Sequence, residues 1–192
     1  MDKSNGYEEI AARFIMTRTQ AIGSSSVRDW AKTLPPNATV LDLGCGSGMP
    51  IAKLLLEEGM NVYGLDASPT MIQTFQLNFP ALPAACEGVE DSLFFNRHFE
   101  AIIAWGLLFI LPMEVQQLVL QKAAAALPTG GKLLFTAPAQ AAKWTDMMTG
   151  QESISLGAEQ YKLLLAASAL ILVEEFDDEG ENHYYHAVKV GE

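Results

Sequence analysis

Residues 40–53, VLDLGCGSGMPIAK, constrain the fold more than any other part of the chain. Val40–Leu43 suits a short buried strand. Gly44, Gly46 and Gly48 then permit a tight turn with close backbone approach. Pro50 stands where a first helical residue is expected, since a missing N–H costs nothing there. Ile51, Leu54 and Leu55 continue as one apolar helical face, and Gly59 marks a stop. Strand, glycine turn and helix in this order form a cradle for a nucleotide-like ligand. In α/β sheets such ligands sit beyond the carboxyl ends of the strands, where the strand order reverses.

The rest of the chain repeats the alternation. Asn61–Asp66 reads as a second strand, and Ser68-Pro69 as an N-cap and first helical proline opening a helix to about Asn78. Ala84–Cys86, Phe99–Gly106 and Gly130–Pro138 read as strands, with a helix over Pro112–Leu127. A helix over Glu159–Ala169 leads to a hairpin, Leu170–Phe176 and His183–Val190, turning at Glu179–Glu181. The expectation is one α/β domain, a Rossmann-like three-layer sandwich on a mostly parallel sheet with an antiparallel hairpin strand at its C-terminal end. Tyr7, Ala11, Phe14, Ile15 and Arg18 share one face of an N-terminal helix that has no place in the sheet. Residues 1–36 are therefore expected to form a helical lid on a core of residues 37–192. Pro138–Ser155 reads as a long loop, a length that often carries function.

Composition narrows the partners. The 192 residues carry a formal net charge of −11 and no Lys/Arg cluster, which argues against nucleic acid. The longest apolar stretches reach about half of the ~20 residues that span a bilayer, so no membrane partner is expected. Cys45 and Cys86 offer neither a disulfide framework nor C-x-x-C metal spacing, so no metal site is expected. The opening MDKSNGYEEI lacks the apolar core of a signal peptide, and a cytoplasmic location is the expectation. Oligomeric state is not readable.

The glycine turn does not match a dinucleotide site. Met49 stands where G-x-G-x-x-G has its third glycine, and Pro50 offers no N–H to a pyrophosphate. Asp42, two residues before Gly44, would repel phosphate but suits a ligand bearing an ammonium and a sulfonium. Asp66, ending the second strand, can accept hydrogen bonds from both hydroxyls of a ribose. VLDLGCGSG followed by VYGLDASPTMI resembles the class I S-adenosylmethionine-dependent methyltransferases. The resemblance continues through CEGVEDSLFF, FEAIIAWGLLFIL and LPTGGKLLFTAP, about Thr39 to Pro138, and the closing helix and hairpin fit that family's seven-stranded sheet.

The resemblance implies S-adenosylmethionine as cofactor and S-adenosylhomocysteine as product. It implies that Gly44, Cys45, Gly46 and Gly48 cradle the methionine half of the cofactor, with Asp42 nearby, and that Asp66 holds the ribose diol. Ala67 and Met71 would flank the adenine. Val89 and Glu90 would read it, largely through backbone groups. Trp105 and Gly106 would line the methyl and methionine region. Many relatives carry Asp where this chain has Gly88, so Glu87, Glu90 or Asp91 would have to supply that contact. Cys45 reads as a small residue between glycines rather than a nucleophile.

A sulfonium methyl is an activated electrophile, so catalysis rests mostly on positioning, with a general base where the acceptor is a hydroxyl or carbon. Asp146, His183 and Tyr184 are the candidate bases. Tyr7, Arg18, Trp144, Asp146, His183 and Tyr184 are the candidate substrate residues, with Arg18 suited to a carboxylate. Strand alternation sends His183 and Tyr185 to one side, and Tyr184 and His186 to the other. A small-molecule acceptor is expected. A cofactor-binding regulatory or partner protein and an NAD(P)-dependent oxidoreductase are the alternatives.

Overall fold

The computed structural model describes residues 2–17 and 22–191. The strands are β1 (Thr39–Leu43), β2 (Asn61–Asp66), β3 (Ala84–Cys86), β4 (Ala101–Ala104), β5 (Lys132–Thr136), β6 (Ala142–Thr145), β7 (Glu152–Ser155), β8 (Leu170–Asp177) and β9 (His183–Lys189). The helices are α1 (Tyr7–Thr17), α2 (Ser24–Ala31), α3 (Ile51–Glu57), α4 (Pro69–Asn78), α5 (Met113–Ala126) and α6 (Ala158–Ala167). Seven strands form one sheet in the order β3-β2-β1-β4-β5-β9-β8. β1 to β5 run parallel, and β9 is antiparallel to both β5 and β8. The expected α/β sandwich with a seven-stranded, mostly parallel sheet and a C-terminal hairpin is thus the fold.

Alternation along the central strands builds two cores, one on each face. Leu41, Leu43, Ile102, Leu133 and Phe135 point to one face and pack against Val119, Leu120 and Ala123 of α5 and Tyr161 and Leu165 of α6. Val40, Val62, Ile103 and Leu134 point to the other, against Val27 and Trp30 of α2, Leu54 and Leu55 of α3, and Phe75 of α4. Strand order reverses between β1 and β4, which opens a crevice at their carboxyl ends.

Three local details differ from expectation. Pro50 is the residue capping α3 rather than its first helical residue, and its carbonyl accepts the Leu54 N–H at 3.0 Å. The segment before β1 holds two helices, of which α2 is built into the sandwich through buried Val27, Trp30 and Ala31. The expected loop over Pro138–Ser155 contains a two-stranded ribbon, β6 paired antiparallel with β7. β6 is mostly exposed, and the positions β7 buries are the serines Ser153 and Ser155, so the apolar alternation that marks a half-buried strand is missing there.

Candidate active site

The glycine turn is tied to the end of β2. The backbone N–H groups of Gly44 and Cys45 donate to the Leu65 carbonyl at 2.8 and 3.1 Å. Asp66 clamps the turn from the same strand end, accepting from the Gly46 N–H and the Ser68 N–H at 2.8 Å each. Gly46 and Gly48 have φ of 53° and 82°, the left-handed region that side chains disfavour. At Gly48 an added Cβ would also sit 2.5 Å from the Phe79 ring. At Gly46 the nearest atom would be the Met71 sulfur at 3.8 Å, so the turn there borders open space.

That space is a cavity of about 250 Å³. Of the residues expected to hold a cofactor, Gly44, Cys45, Gly46, Asp66, Ala67, Met71, Val89, Trp105 and Gly106 line it. Asp42, Gly48 and Glu90 are not among its lining residues. Asp42 is 1% exposed at the carboxyl end of β1. Burial raises the pKa of Asp66 above the ordinary carboxylate value, opposed by its bonds from Ser68 and Gly46. Burial, with the Asp42 and Asp66 charges nearby, pushes the Cys45 thiol well up, so it stays protonated and is no nucleophile.

The Gly88 position has a local explanation. A Cβ there would lie 2.8 Å from the Glu90 carboxylate and 3.2 Å from Lys3. The space that a larger residue would need is taken by the Lys3–Glu90 ion pair at 2.7 Å. Lys3 also reaches Asp91 at 3.1 Å, and Glu87 is exposed. Lys122 of α5 donates to the carbonyls of Val89 at 2.6 Å and Glu90 at 2.9 Å, and its ammonium lies 4.8 Å from the Phe94 ring centre. Burial lowers its pKa, against the pull of Asp91, Glu90 and Glu87.

On the other side, Trp105 donates from Nε1 to the Tyr184 hydroxyl at 2.7 Å, and that hydroxyl donates to Asp178 at 2.8 Å. Tyr184 is fully buried, outside the cavity wall, and burial drives its pKa far up. His183 contacts Asp177 at 2.7 Å and Glu175 at 3.4 Å and does not line the cavity. Trp144 packs behind a lining residue, Phe109, at 5.8 Å between ring centres. Asp146 caps the β6–β7 turn by accepting from the N–H groups of Met148 and Thr149 at 2.7 and 3.0 Å. Its second oxygen accepts the Tyr7 hydroxyl at 3.1 Å. Tyr7 itself lines the cavity, with Phe14 edge-on at 5.3 Å. Arg18 lies outside the described residues.

Sequence reasoning missed Lys122 and Glu8. Glu8 of α1 accepts from the Ser68 and Thr70 hydroxyls and, at 3.1 Å, from the Thr70 N–H, at the start of α4. Neither sits in a motif, because their partners are distant in sequence. Among the described residues no His, Cys, Asp and Glu cluster is arranged for a metal. No helix among them is long and apolar enough to cross a membrane.

A family model described as a methyltransferase domain matches residues 7–168. A 2-methyl-6-phytyl-1,4-hydroquinone methyltransferase from Synechocystis is 31% identical over 88 residues, 46% of this chain and 28% of that protein. The chain thus spans less than a third of that relative's length. The CcbJ methyltransferase of Streptomyces caelestis superposes with a TM-score of 0.78 at 15% identity, covering 100% of both chains. A Burkholderia thailandensis 1,6-didemethyltoxoflavin-N1-methyltransferase, solved with that substrate and S-adenosylhomocysteine, gives 0.73 at 16% identity over 96% of this chain and 84% of its own. By the family match over residues 7–168, on a sandwich of the same topology, the chain belongs to the class I S-adenosylmethionine-dependent methyltransferases.

Proposed function

We propose that this protein methylates a small molecule, using S-adenosylmethionine held against the glycine turn. The observation that carries the reading is the shared cavity. One wall is the glycine turn with Asp66, Ala67, Met71 and Val89, and the other is α1 with Trp105 and Phe109. The residues present fit the cofactor. A Cβ on Gly46 would project into open space, and a buried carboxylate ends β2 beside it. Pro50 has no N–H to offer a phosphate, and Asp42 lies buried near the turn. When bound, the cofactor supplies an electrophilic methyl on a sulfonium.

The chain's own residues then position and exclude water. Asp66 keeps acceptor capacity for hydroxyls beyond its two backbone bonds. Ala67 and Met71 offer an apolar slot for a flat base, with the backbone of Val89 and Glu90 at its edge. Trp105, fixed by Tyr184 and Asp178, forms a wall that cannot rotate without breaking a hydrogen bond. The phenol of Tyr7, oriented by Asp146, is the polar group best placed to steer an acceptor's hydroxyl or amine. A cytoplasmic setting suits the two unpaired thiols.

Equilibrium binding of labelled S-adenosylmethionine to Asp66→Ala is the direct test. Loss of binding is expected, and a variant that binds like the parent removes the cofactor assignment. Incubation with cofactor and a metabolite panel, read as S-adenosylhomocysteine release, separates catalysis from mere binding.

A further inference from the structure

We propose that the methyl acceptor is an uncharged, mainly apolar molecule built on a flat ring, held between α1 and the connection from β4 to α5. The inference rests on the methyltransferase reading and names its substrate class. Tyr7 and Phe14 of α1 line one side of the cavity. Trp105, Phe109 and Ile110 line it from the β4–α5 connection, and Trp144 supports Phe109 from behind. Aromatic walls gain most from a flat ring that meets them offset-stacked or edge-on.

The charges on the described lining residues disfavour the alternatives. Lys3 and Asp66 are the only charged side chains among the described lining residues. Lys3 is already bridged to Glu90 and Asp91. Asp66 belongs to the glycine turn, where it accepts from Gly46 and Ser68. Asp146, the carboxylate behind Tyr7, accepts hydrogen bonds from that phenol and from two turn amides. Among the described lining residues, an anion seated on the aromatic walls would find no uncommitted cation, and an ammonium no uncommitted carboxylate. Burying either without a counter-charge is costly, whereas a neutral ring is not penalised. A second cation is also repelled beside a sulfonium. The net charge of −11 opposes an anion further. Ser4, Asn182 and Tyr7 bring polar atoms to the cavity wall.

Three phenols that differ in their tails separate the classes: 4-propylphenol, 3-(4-hydroxyphenyl)propionate and tyramine, neutral, anionic and cationic in turn. Titration calorimetry on protein saturated with S-adenosylhomocysteine gives their affinities, and labelled S-adenosylmethionine binding is measured in parallel. The neutral phenol is expected to bind about tenfold tighter than either charged analogue. Phe14→Arg is expected to reverse the order in favour of the propionate, and Phe14→Ala to weaken the neutral phenol alone. Protein that binds the cofactor but prefers a charged analogue, or binds none of the three, overturns the acceptor class alone. Protein that binds no cofactor overturns the methyltransferase reading, whatever the phenols do. A preference for the propionate in the parent would point to Arg18 as its partner and sink the proposal.

Discussion

At Lys122 a single side chain organises the edge of the proposed adenine slot. Its ammonium holds two successive carbonyls, Val89 and Glu90, from a helix more than thirty residues along the chain. Lys3 grips the same segment through the side chains of Glu90 and Asp91. Lys122→Met keeps much of the packing on Phe94 but leaves both carbonyls without that donor. Losing charged hydrogen bonds of this kind costs roughly 1.5–3 kcal/mol. The cofactor dissociation constant is therefore expected to rise at least about tenfold, with Lys122→Arg retaining most of the affinity. Cofactor titration of both variants checks this, and equal affinity in Lys122→Met and parent removes Lys122 from the site. None of this is legible in the sequence. Val89 and Glu90 can be found from their place after β3, but the donor that fixes them lies on a helix whose sequence shows only an alanine-rich apolar pattern. The same holds for Gly88. Its departure from the family pattern reads as a missing contact until the Lys3–Glu90 pair is seen in the space.

At the scale of elements, the strands and helices of the sandwich follow from hydrophobic period and from caps. Ser68 accepts the Met71 N–H at 3.1 Å, as its position before Pro69 predicts. Strand ends move by one or two residues because pairing, not apolarity, decides them: β4 is only Ala101–Ala104. The β6–β7 ribbon carries no apolar alternation, since β6 is mostly exposed and the positions β7 buries are serines. It matters for the site, since its turn residue Asp146 is what ties Tyr7 down. A second tether is Glu8 of α1, which is bonded to the start of α4. Its carboxylate sits at a helix N-terminus, and bonds from Ser68 and Thr70 hold its pKa below the ordinary value. A depressed carboxylate pKa means the contact is fully present above about pH 4.5 and is lost as pH falls through the lowered value. The α1 helix is thus latched at neutral pH. Glu8→Gln is expected to speed amide exchange in α1 by up to about fivefold, the equivalent of ~1 kcal/mol at a helix end. The strands should be unaffected. Unchanged α1 exchange would show that Tyr7 and Phe14 are held without this latch.

For the whole molecule, the two faces of the sheet carry different chemistry in their cores. One is sealed by stacked rings, Phe135 on Tyr185 at 4.7 Å, with Tyr161 edging in at 5.4 Å. The other contains a titratable group, His186 of β9, 7% exposed and edge-to-face with Trp30 of α2 at 6.4 Å. Burial pushes the His186 pKa down to about 4, with a smaller contribution from Lys132. The imidazole is therefore neutral in the fold at pH 7, while the unfolded chain takes up its proton near pH 6.5. Between those values the unfolded state binds the extra proton, so this group lowers stability as pH falls from about 6.5 to about 4 and adds nothing above that window. One proton limits the slope to about 1.4 kcal/mol per pH unit. The remaining titrating groups, mostly carboxylates on a chain of net charge −11, are common to parent and variant and cancel in a comparison. His186→Met keeps an apolar body beside Trp30 and removes the titration. Its melting temperature is expected to fall less steeply than the parent's between pH 6.5 and pH 4.5, with parallel curves above pH 7. Parallel curves throughout would mean that His186 protonates in the folded sandwich without penalty, and that this face of the core is open to water.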